Sequence, residues 1–289
     1  MPSPAFHAPQ TVESAVALLA ADPSARPLGG GTDLIVQMRS GRYTPGAVID
    51  LKRIEGMIGI RRDGDAFVIG AATPCTALKR DDALDRAWPG VVEAANLIGS
   101  VQVRNRATIA GNLCNASPAA DSVPALVAAG ATCVIAGPSG LREAPVEAIP
   151  LAPGKTSLAP GEFLIELRLP PRPKGGGDAY LRSTPRTEMD IAVVGVGASL
   201  VLDGEGVCIT ARVALGAVGP TVMLVKEAGE ALIGSKLQDD ALAALSRAVQ
   251  AAAHPIDDRR GTVAYRKAMV GVLARRAVLI AATRAGGKA

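Results

Sequence analysis

The sequence has few aromatic residues and no concentration of positive charge. Phe, Tyr and Trp together make up 2% of the 289 residues, so the exposed rings on which single-stranded nucleic acids stack are scarce. The net charge is +4, yet the basic residues lie in scattered pairs with acidic residues nearby, and no run of five like charges occurs. Both shortages argue against a nucleic-acid-binding protein.

Cysteine is sparse and widely spaced. The four cysteines, Cys75, Cys114, Cys133 and Cys208, include no C-x-x-C pair, which excludes the usual ligand patterns of zinc and iron–sulfur sites. A chain of this length is not a small disulfide scaffold either. We therefore predict free, mostly buried thiols in a reducing compartment, and no metal site.

Long apolar runs are missing as well. The longest, such as "IAVVGVGASLVL", have about 12 residues and contain glycine, whereas a membrane-spanning helix needs about 20. The N-terminal stretch "MPSPAFHAPQTVESAVALLAAD" lacks the charged start and the long apolar core of a signal peptide. These features predict a cytoplasmic chain without a membrane span.

Side chains suited to acid–base catalysis are also scarce. The two histidines, His7 and His254, stand near prolines and have no nucleophile or acid partner in view, so we expect both at the surface. Asp257 and Asp258 precede a pair of arginines, which is typical of a salt-bridged helix start. No catalytic residue is predicted.

What the sequence does have is a succession of helical and strand patterns. In the N-terminal part we predict a helix capped by Thr11, helical structure over residues 75–99 broken at Pro89, and a helix from Pro118 to Gly130. Strands are predicted in "GAVIDL", "DAFVIGAA", "TCVIA" and "FLIELRLP". The Pro- and Gly-rich residues 137–162 are predicted to form a loop.

The segment "PPRPKGGG", residues 170–177, marks the clearest change of composition and is predicted to link two domains. Beyond it, strands are predicted in "AYLRSTP", "IAVVGVGASLVL" and "VCITARVALGAVG", followed by helices at about residues 223–233, 238–252 and 262–285. Strands followed by helices predict an α+β C-terminal domain.

The first motif of interest is "RPLGGGTDLIVQMRSG", residues 26–41. A strand, a glycine turn and a helix of two or three turns ending at Gly41 would expose main-chain N–H groups at the positive end of a helix, where phosphate is the commonest ligand. The pattern matches neither G-x-x-x-x-G-K-[ST] nor G-x-G-x-x-G. A tight turn without a ligand is the alternative interpretation.

The second motif, "RNRATIAGNLCNASPAAD", covers residues 104–121 and places small polar groups at short intervals along a backbone that we expect to be irregular. Such a segment can line a ligand with N–H, amide and hydroxyl groups. Turn formation and helix capping are the alternative, above all for Ser117 before Pro118.

The two motifs together resemble the flavin-binding, or medium, subunits of molybdenum hydroxylases such as carbon monoxide dehydrogenase and xanthine dehydrogenase. The similarity continues through "GEFLIELRLP", "YLRSTPRTEMDIAVVGVGASL" and "HPIDDRRGTVAYRKAMVGVLARRA", and so covers essentially the whole chain. It implies an α+β protein: a vanillyl-alcohol-oxidase-type FAD-binding domain of two α/β subdomains and a small α+β C-terminal domain. The implied limits are residues 1–172, with subdomains of about 1–55 and 56–172, and residues 178–289.

The resemblance also implies an FAD site. The diphosphate would lie on the first motif, and the second motif would hold the rest of the cofactor, with one strand flanking it. Arg182 stands where the family usually has lysine, which keeps the charge but changes its geometry. Cys114 lies inside the second motif, where we interpret it as an apolar filler. The implied contacts are Leu28, Gly29, Gly30, Gly31, Thr32, Asp33, Leu34, Thr108, Ile109, Gly111, Asn112, Asn115, Ser117, Asp121, Leu164, Ile165 and Arg182.

The implied function is electron transfer within a three-subunit complex. A molybdenum-cofactor large subunit oxidises the substrate, a small subunit with two [2Fe-2S] clusters carries the electrons, and FAD in this chain passes them to an acceptor such as NAD, a quinone or oxygen. No cysteine-rich insertion is present, so no cluster is expected in this chain. The alternatives are a stand-alone FAD-dependent oxidase or reductase of the same fold and a non-redox scaffold subunit.

Overall fold

A computed structural model describes residues 3–286, which begin with a small unit of parallel sheet and helix. The parallel sheet has the strand order β1-β3-β2, and helical connections are what parallel strands require. Thr11 caps the first helix by accepting a hydrogen bond from the Ser14 main chain at 3.2 Å, as predicted. The elements are β1 (Ala5–His7), α1 (Val12–Ala21), β2 (Arg26–Leu28), α2 (Leu34–Arg39), β3 (Ala47–Asp50) and a 3₁₀ helix (Leu51–Arg53).

The second unit is built on a five-stranded antiparallel sheet. Its elements are β4 (Ile60–Asp63), β5 (Ala66–Gly70), α3 (Cys75–Arg80), α4 (Asp82–Ala87), α5 (Pro89–Asn96), α6 (Val101–Arg104), α7 (Ile109–Cys114), α8 (Ser122–Ala129), β6 (Thr132–Gly137), β7 (Gly140–Pro145), a 3₁₀ helix (Val146–Ala148), β8 (Pro150–Ala152), β9 (Lys155–Thr156) and β10 (Phe163–Leu169). The strand order is β4-β5-β10-β6-β7, and β8 pairs separately with β9. The first two units share one hydrophobic core.

The third unit has a four-stranded antiparallel sheet covered by helices. Its elements are β11 (Gly176–Ser183), β12 (Val194–Leu202), β13 (Cys208–Gly216), β14 (Met223–Leu224), α9 (Lys226–Glu230), α10 (Asp239–Ala252) and α11 (Val263–Arg284). The strands follow one another in the order β11-β12-β13-β14. Their apolar faces and the helices enclose a second hydrophobic core.

Helix α8 joins the second and third units. All eight of its residues are buried, because the first core lies on one side and strands β12 and β13 on the other. A Cβ on Gly197 would overlap the carbonyl oxygen of Pro124, and one on Gly216 would lie 2.7 Å from Pro124 Cγ. Tyr180 and Ala214 of the third unit complete the first core.

Several boundaries differ from those predicted. Residues 104–121, expected to be irregular, contain the last residue of α6 and the whole of α7, and residues 75–99 form three helices, with Pro89 starting the third of them. The predicted loop over 137–162 contains β7 and the β8–β9 pair. Gly176 and Gly177 belong to β11 and not to a linker, since they pair with Val201 and Leu200 of β12. A Cβ on Gly177 would overlap the carbonyl oxygen of Ala281 in α11.

Among the helices of residues 3–286, none combines the length and the apolar character that a membrane crossing requires.

Candidate binding cavity

The two glycine-containing motifs meet at a cavity of about 470 Å³ between the first and second units. That volume lies in the range of about 300–1,000 Å³ typical of small-molecule sites. The cavity brings together most of the contacts expected from the sequence. Those that line it are Leu28, Gly29, Gly30, Gly31, Thr32, Asp33, Leu34, Thr108, Gly111, Asn112 and Asn115.

The glycine loop between β2 and α2 offers main-chain donors to this cavity. Within residues 3–286, the N–H groups of Gly30, Gly31, Thr32 and Asp33 donate to no protein acceptor. Helix α2 is six residues long, shorter than the predicted two or three turns, so its dipole adds little. Attraction for an anion therefore comes mainly from the loop's own amides.

Glycine is required for a different reason at each of the three positions of the loop. Gly31 adopts φ +80°, a left-handed conformation that favours glycine. A Cβ on Gly30 would overlap the carbonyl oxygen of Arg106, so the protein's own backbone requires glycine there. At Gly29 the nearest atom to an added Cβ is Thr108 Oγ1 at 3.5 Å, an ordinary contact. Gly29 is thus the position where the protein leaves room that a diphosphate can use.

Thr108 caps a helix, which is the alternative interpretation of the second motif. Its Oγ1 accepts a hydrogen bond from the Gly111 main chain at 2.9 Å and so caps helix α7. The hydroxyl proton remains available to a ligand. Ile109, the first residue of α7, is buried and does not line the cavity.

Asn112 on α7 and Asn115 just after it line the cavity, and the side-chain oxygens of both are already engaged. Asn112 Oδ1 accepts from the Ser122 hydroxyl at 2.7 Å, and Asn115 Oδ1 accepts from Gln37 Nε2 at 2.8 Å. Each amide therefore keeps its NH₂ group for another acceptor. The lining is rich in free donors, which suits a ligand rich in acceptor oxygens.

Other predicted contacts lie away from the lining of this cavity. Ser117 accepts from the Ala119 main chain at 3.3 Å, which is the turn-forming alternative. Leu164 is buried in the core, and the Ile165 carbonyl accepts from the Ala71 main chain. The assignment of these residues to the cofactor stays a prediction.

Asp121 and Arg182 also lie outside this lining, where they join the second and third units. The Asp121 carboxylate accepts from Arg182 Nη1 at 2.6 Å and from the Tyr180 hydroxyl at 3.0 Å. Burial raises the pKa of Asp121 to about 6, against the opposing effect of Arg182. Asp121 and Arg182, both expected to contact the cofactor, thus bind each other.

The cavity also has a wall that the sequence patterns did not predict. Residues 154–162, expected to be a plain loop, contribute lining together with Gln37, Arg26 and Tyr43. The Arg26 guanidinium lies 5.4 Å from the centre of the Tyr43 ring and donates to the Ala25 carbonyl at 2.9 Å. The signal for this wall was the length of a Pro- and Gly-rich segment, since long irregular segments in compact domains are often functional.

The thiols and histidines behave as expected from the sequence. All four cysteines are free. Cys114 lines the cavity, but burial raises the pKa of its thiol to about 12, so it is neutral at pH 7. His7 and His254 are exposed. No cluster of three or more His, Cys, Asp or Glu side chains in the described part of the chain is placed to hold a metal ion.

Comparisons with known proteins agree along nearly the whole chain. Residues 3–172 match the family described as the FAD binding domain in molybdopterin dehydrogenase, and residues 179–281 match the CO dehydrogenase flavoprotein C-terminal domain. The chain is 36% identical to the carbon monoxide dehydrogenase medium chain of Afipia carboxidovorans over 97% of both proteins. It is 31% identical to the putative xanthine dehydrogenase FAD-binding subunit of Escherichia coli, over 98% of this chain and 97% of that subunit.

The fold is similar to solved structures as well. A chain of reconstituted CO dehydrogenase from Oligotropha carboxidovorans superposes with a TM-score of 0.94 and 35% identity, over 98% of this chain and 99% of that chain.

Proposed function

The chain belongs to the family of FAD-binding subunits of molybdenum hydroxylases, and we propose that it passes electrons from the iron–sulfur clusters of a partner subunit to an external acceptor. The partners would be a molybdenum-cofactor large subunit and a small subunit with two [2Fe-2S] clusters. The acceptor would be NAD, a quinone or oxygen. The medium-chain names of its relatives, which belong to multi-subunit enzymes, support this arrangement.

The free N–H donors that line the cavity support placing FAD, the cofactor of this family, there. The loop amides from Gly29 to Leu34 would hold the diphosphate, because N–H donors bind phosphate oxygens without needing a charged side chain. Asn112 and Asn115 would donate their free N–H groups to acceptor atoms elsewhere on the cofactor. Leu28, Thr108 and Gly111 would provide close packing at the same walls.

The remaining predicted contacts keep a proposed place further along the cofactor. They are Ile109, Ser117, Asp121, Leu164, Ile165 and Arg182. The proposed domain limits are residues 1–172, with subdomains of about 1–55 and 56–172, and residues 178–289. The end of β10 at Leu169 and the start of β11 at Gly176 support a boundary between these two blocks.

When bound, FAD supplies a carrier that accepts electrons one or two at a time, which suits a position between one-electron clusters and a two-electron acceptor. The chain's own residues bind and orient the cofactor, and no acid or base is required of them. The scarcity of histidine in the sequence agrees with this division of roles. The free amides of the glycine loop are the single observation that carries the assignment.

An absorbance experiment on the purified full chain tests the proposal. We expect visible flavin bands, release of FAD on denaturation, and no iron–sulfur absorption until partner subunits copurify. A colourless chain that takes up no added FAD would favour a scaffold subunit. Turnover of a small organic substrate by the isolated chain would favour a stand-alone flavoenzyme. The partner assignment fails if no iron–sulfur protein copurifies from the native host.

A further inference from the structure

Gln37 on helix α2 and Asn115 at the end of helix α7 are 78 residues apart and face each other in the cavity. Gln37 Nε2 donates to Asn115 Oδ1 at 2.8 Å, and the pair is partly buried. In the described chain, no other hydrogen bond or ion pair made by a side chain joins residues 3–53 to residues 60–169. The two walls of the cavity are thus joined by one polar side-chain link.

The Gln37 side chain is held by a well-anchored backbone. The main-chain carbonyl oxygen of Gln37 accepts hydrogen bonds from the Arg42 main chain at 2.9 Å, the Tyr43 main chain at 3.4 Å and the Ser40 hydroxyl at 3.0 Å. These bonds fix the last turn of α2, from which the side chain reaches across to α7. The donor group of Gln37 therefore starts from a defined position.

The link also determines which way the Asn115 amide points. An amide that presents its oxygen to Gln37 must turn its NH₂ group in the other direction. Within residues 3–286 that NH₂ group meets no protein acceptor, although Asn115 lines the cavity. An acceptor supplied by the cofactor is the partner that this orientation suits.

We propose that Gln37 is a positioning residue for FAD: it keeps the NH₂ group of Asn115 turned to the cofactor and holds α2 against α7. The proposal rests on the cavity being the FAD site, as argued above. Gln37 acts through Asn115, so removing either side chain should weaken FAD binding. Removing both should do little more harm than removing Asn115 alone.

The test is a double-mutant cycle on the full chain, with the FAD dissociation constant measured by flavin fluorescence after removal of the cofactor. Asn115→Ala should weaken FAD binding about tenfold, the equivalent of one lost hydrogen bond of about 1.4 kcal/mol. Gln37→Met, which keeps the length of the side chain and adds no charge, should weaken it severalfold. In the Asn115→Ala background, Gln37→Met should have almost no further effect.

Gln102→Met, on the exposed face of α6, is the matched control and should leave FAD affinity unchanged. Additive effects of Gln37→Met and Asn115→Ala would overturn the positioning role, as would normal FAD affinity in Gln37→Met. Gly29→Ala distinguishes a wrong site from a wrong role for Gln37. If that variant loses FAD while the Gln37 cycle shows no coupling, the site stands and the positioning role falls. If Gly29→Ala and Asn115→Ala both bind FAD normally, the site itself is wrong.

Discussion

Gly30 lies so close to the carbonyl group of Arg106 that a Cβ atom would overlap its oxygen. The two residues belong to different units and to the two different motifs of the cavity. Part of the glycine run therefore serves to bring the two walls into contact, and part serves the ligand. Substitutions at neighbouring glycines should separate these roles.

Gly29→Ala should lower FAD affinity without loss of stability, whereas Gly30→Ala should lower the stability of the chain. Alanine at position 29 meets nothing closer than 3.5 Å within the protein, so the free energy of unfolding of the FAD-free chain should change by less than about 0.5 kcal/mol. FAD affinity should nevertheless fall at least tenfold. Gly30→Ala should destabilise the chain by about 1–3 kcal/mol, because main-chain atoms must move. Urea unfolding and FAD titration of both variants check this, and equal stability losses would contradict it.

The ion pair between Asp121 and Arg182 should contribute strongly to stability. Arg182→Met leaves a buried carboxylate without its cation, a change that costs about 3–5 kcal/mol. Arg186→Met is the control, since the Arg186 side chain is 71% exposed in its pair with Asp190 and such pairs contribute about 1 kcal/mol or less. Urea unfolding at pH 7 measures both. Losses of similar size in the two variants would contradict the buried role of Arg182.

The carboxylate of Asp178 should give the chain an unusual pH dependence. Burial raises its pKa to about 6, although Arg172 and Arg284 act in the opposite direction and the main chains of Gly90 and Val91 donate to it. The folded chain then binds this proton more tightly than the unfolded chain does, where the pKa is near 3.8. The contribution of Asp178 to the free energy of unfolding is therefore full below about pH 4 and is lost as the pH rises towards 6.

Asp178→Asn, which cannot titrate, makes this dependence measurable. Relative to the variant, the wild-type chain should gain about 2 kcal/mol of unfolding free energy between pH 7 and pH 4.5, at about 1.4 kcal/mol per pKa unit. Carboxylates with a lowered pKa, such as Asp258, act in the opposite direction but mainly below pH 4. Parallel pH curves for wild type and variant would show that Asp178 has an ordinary pKa.

The contact between helix α8 and strand β12 should depend on Gly197. A Cβ there would overlap the carbonyl of Pro124, so Gly197→Ala should cost about 2–3 kcal/mol of stability. Gly204→Ala, in the β12–β13 turn, has no neighbour within 4 Å and should stay within about 0.5 kcal/mol of wild type. Thermal unfolding of both proteins checks the contrast, and a neutral Gly197→Ala would show that α8 is free to shift.

Much of the fold could be predicted from local patterns. The cap at Thr11, the strand at "FLIELRLP" and the two strands β12 and β13 each carry a signal within a few residues. Those signals depend on neighbouring residues alone, so one sequence suffices to find them. The meeting of the two glycine motifs was expected from a family resemblance, and the cavity confirms that they lie together.

What sequence patterns missed depends on partners far away in the chain. Gly177 looks like part of a linker, but it pairs with Leu200 of β12, and its close approach to Ala281 leaves no room for a Cβ. Gln37 carries no signal of its own, since its partner is 78 residues away. The polar run after Arg104 suggested an irregular backbone, but Thr108 uses its side chain to start a helix.

The burial of helix α8 is completed late in synthesis. The residues of α8 leave the ribosome before strands β11, β12 and β13 are made. Those strands carry the residues that cover the second side of the helix, Tyr180, Gly197 and Ala214. Until those strands arrive, the nascent chain must present an apolar helix to water, and such transient surfaces attract chaperones and other unfinished chains. A polypeptide that stopped after β10 would leave that apolar surface of α8 exposed to water. The C-terminal unit therefore shields part of the cofactor-binding region from unwanted association.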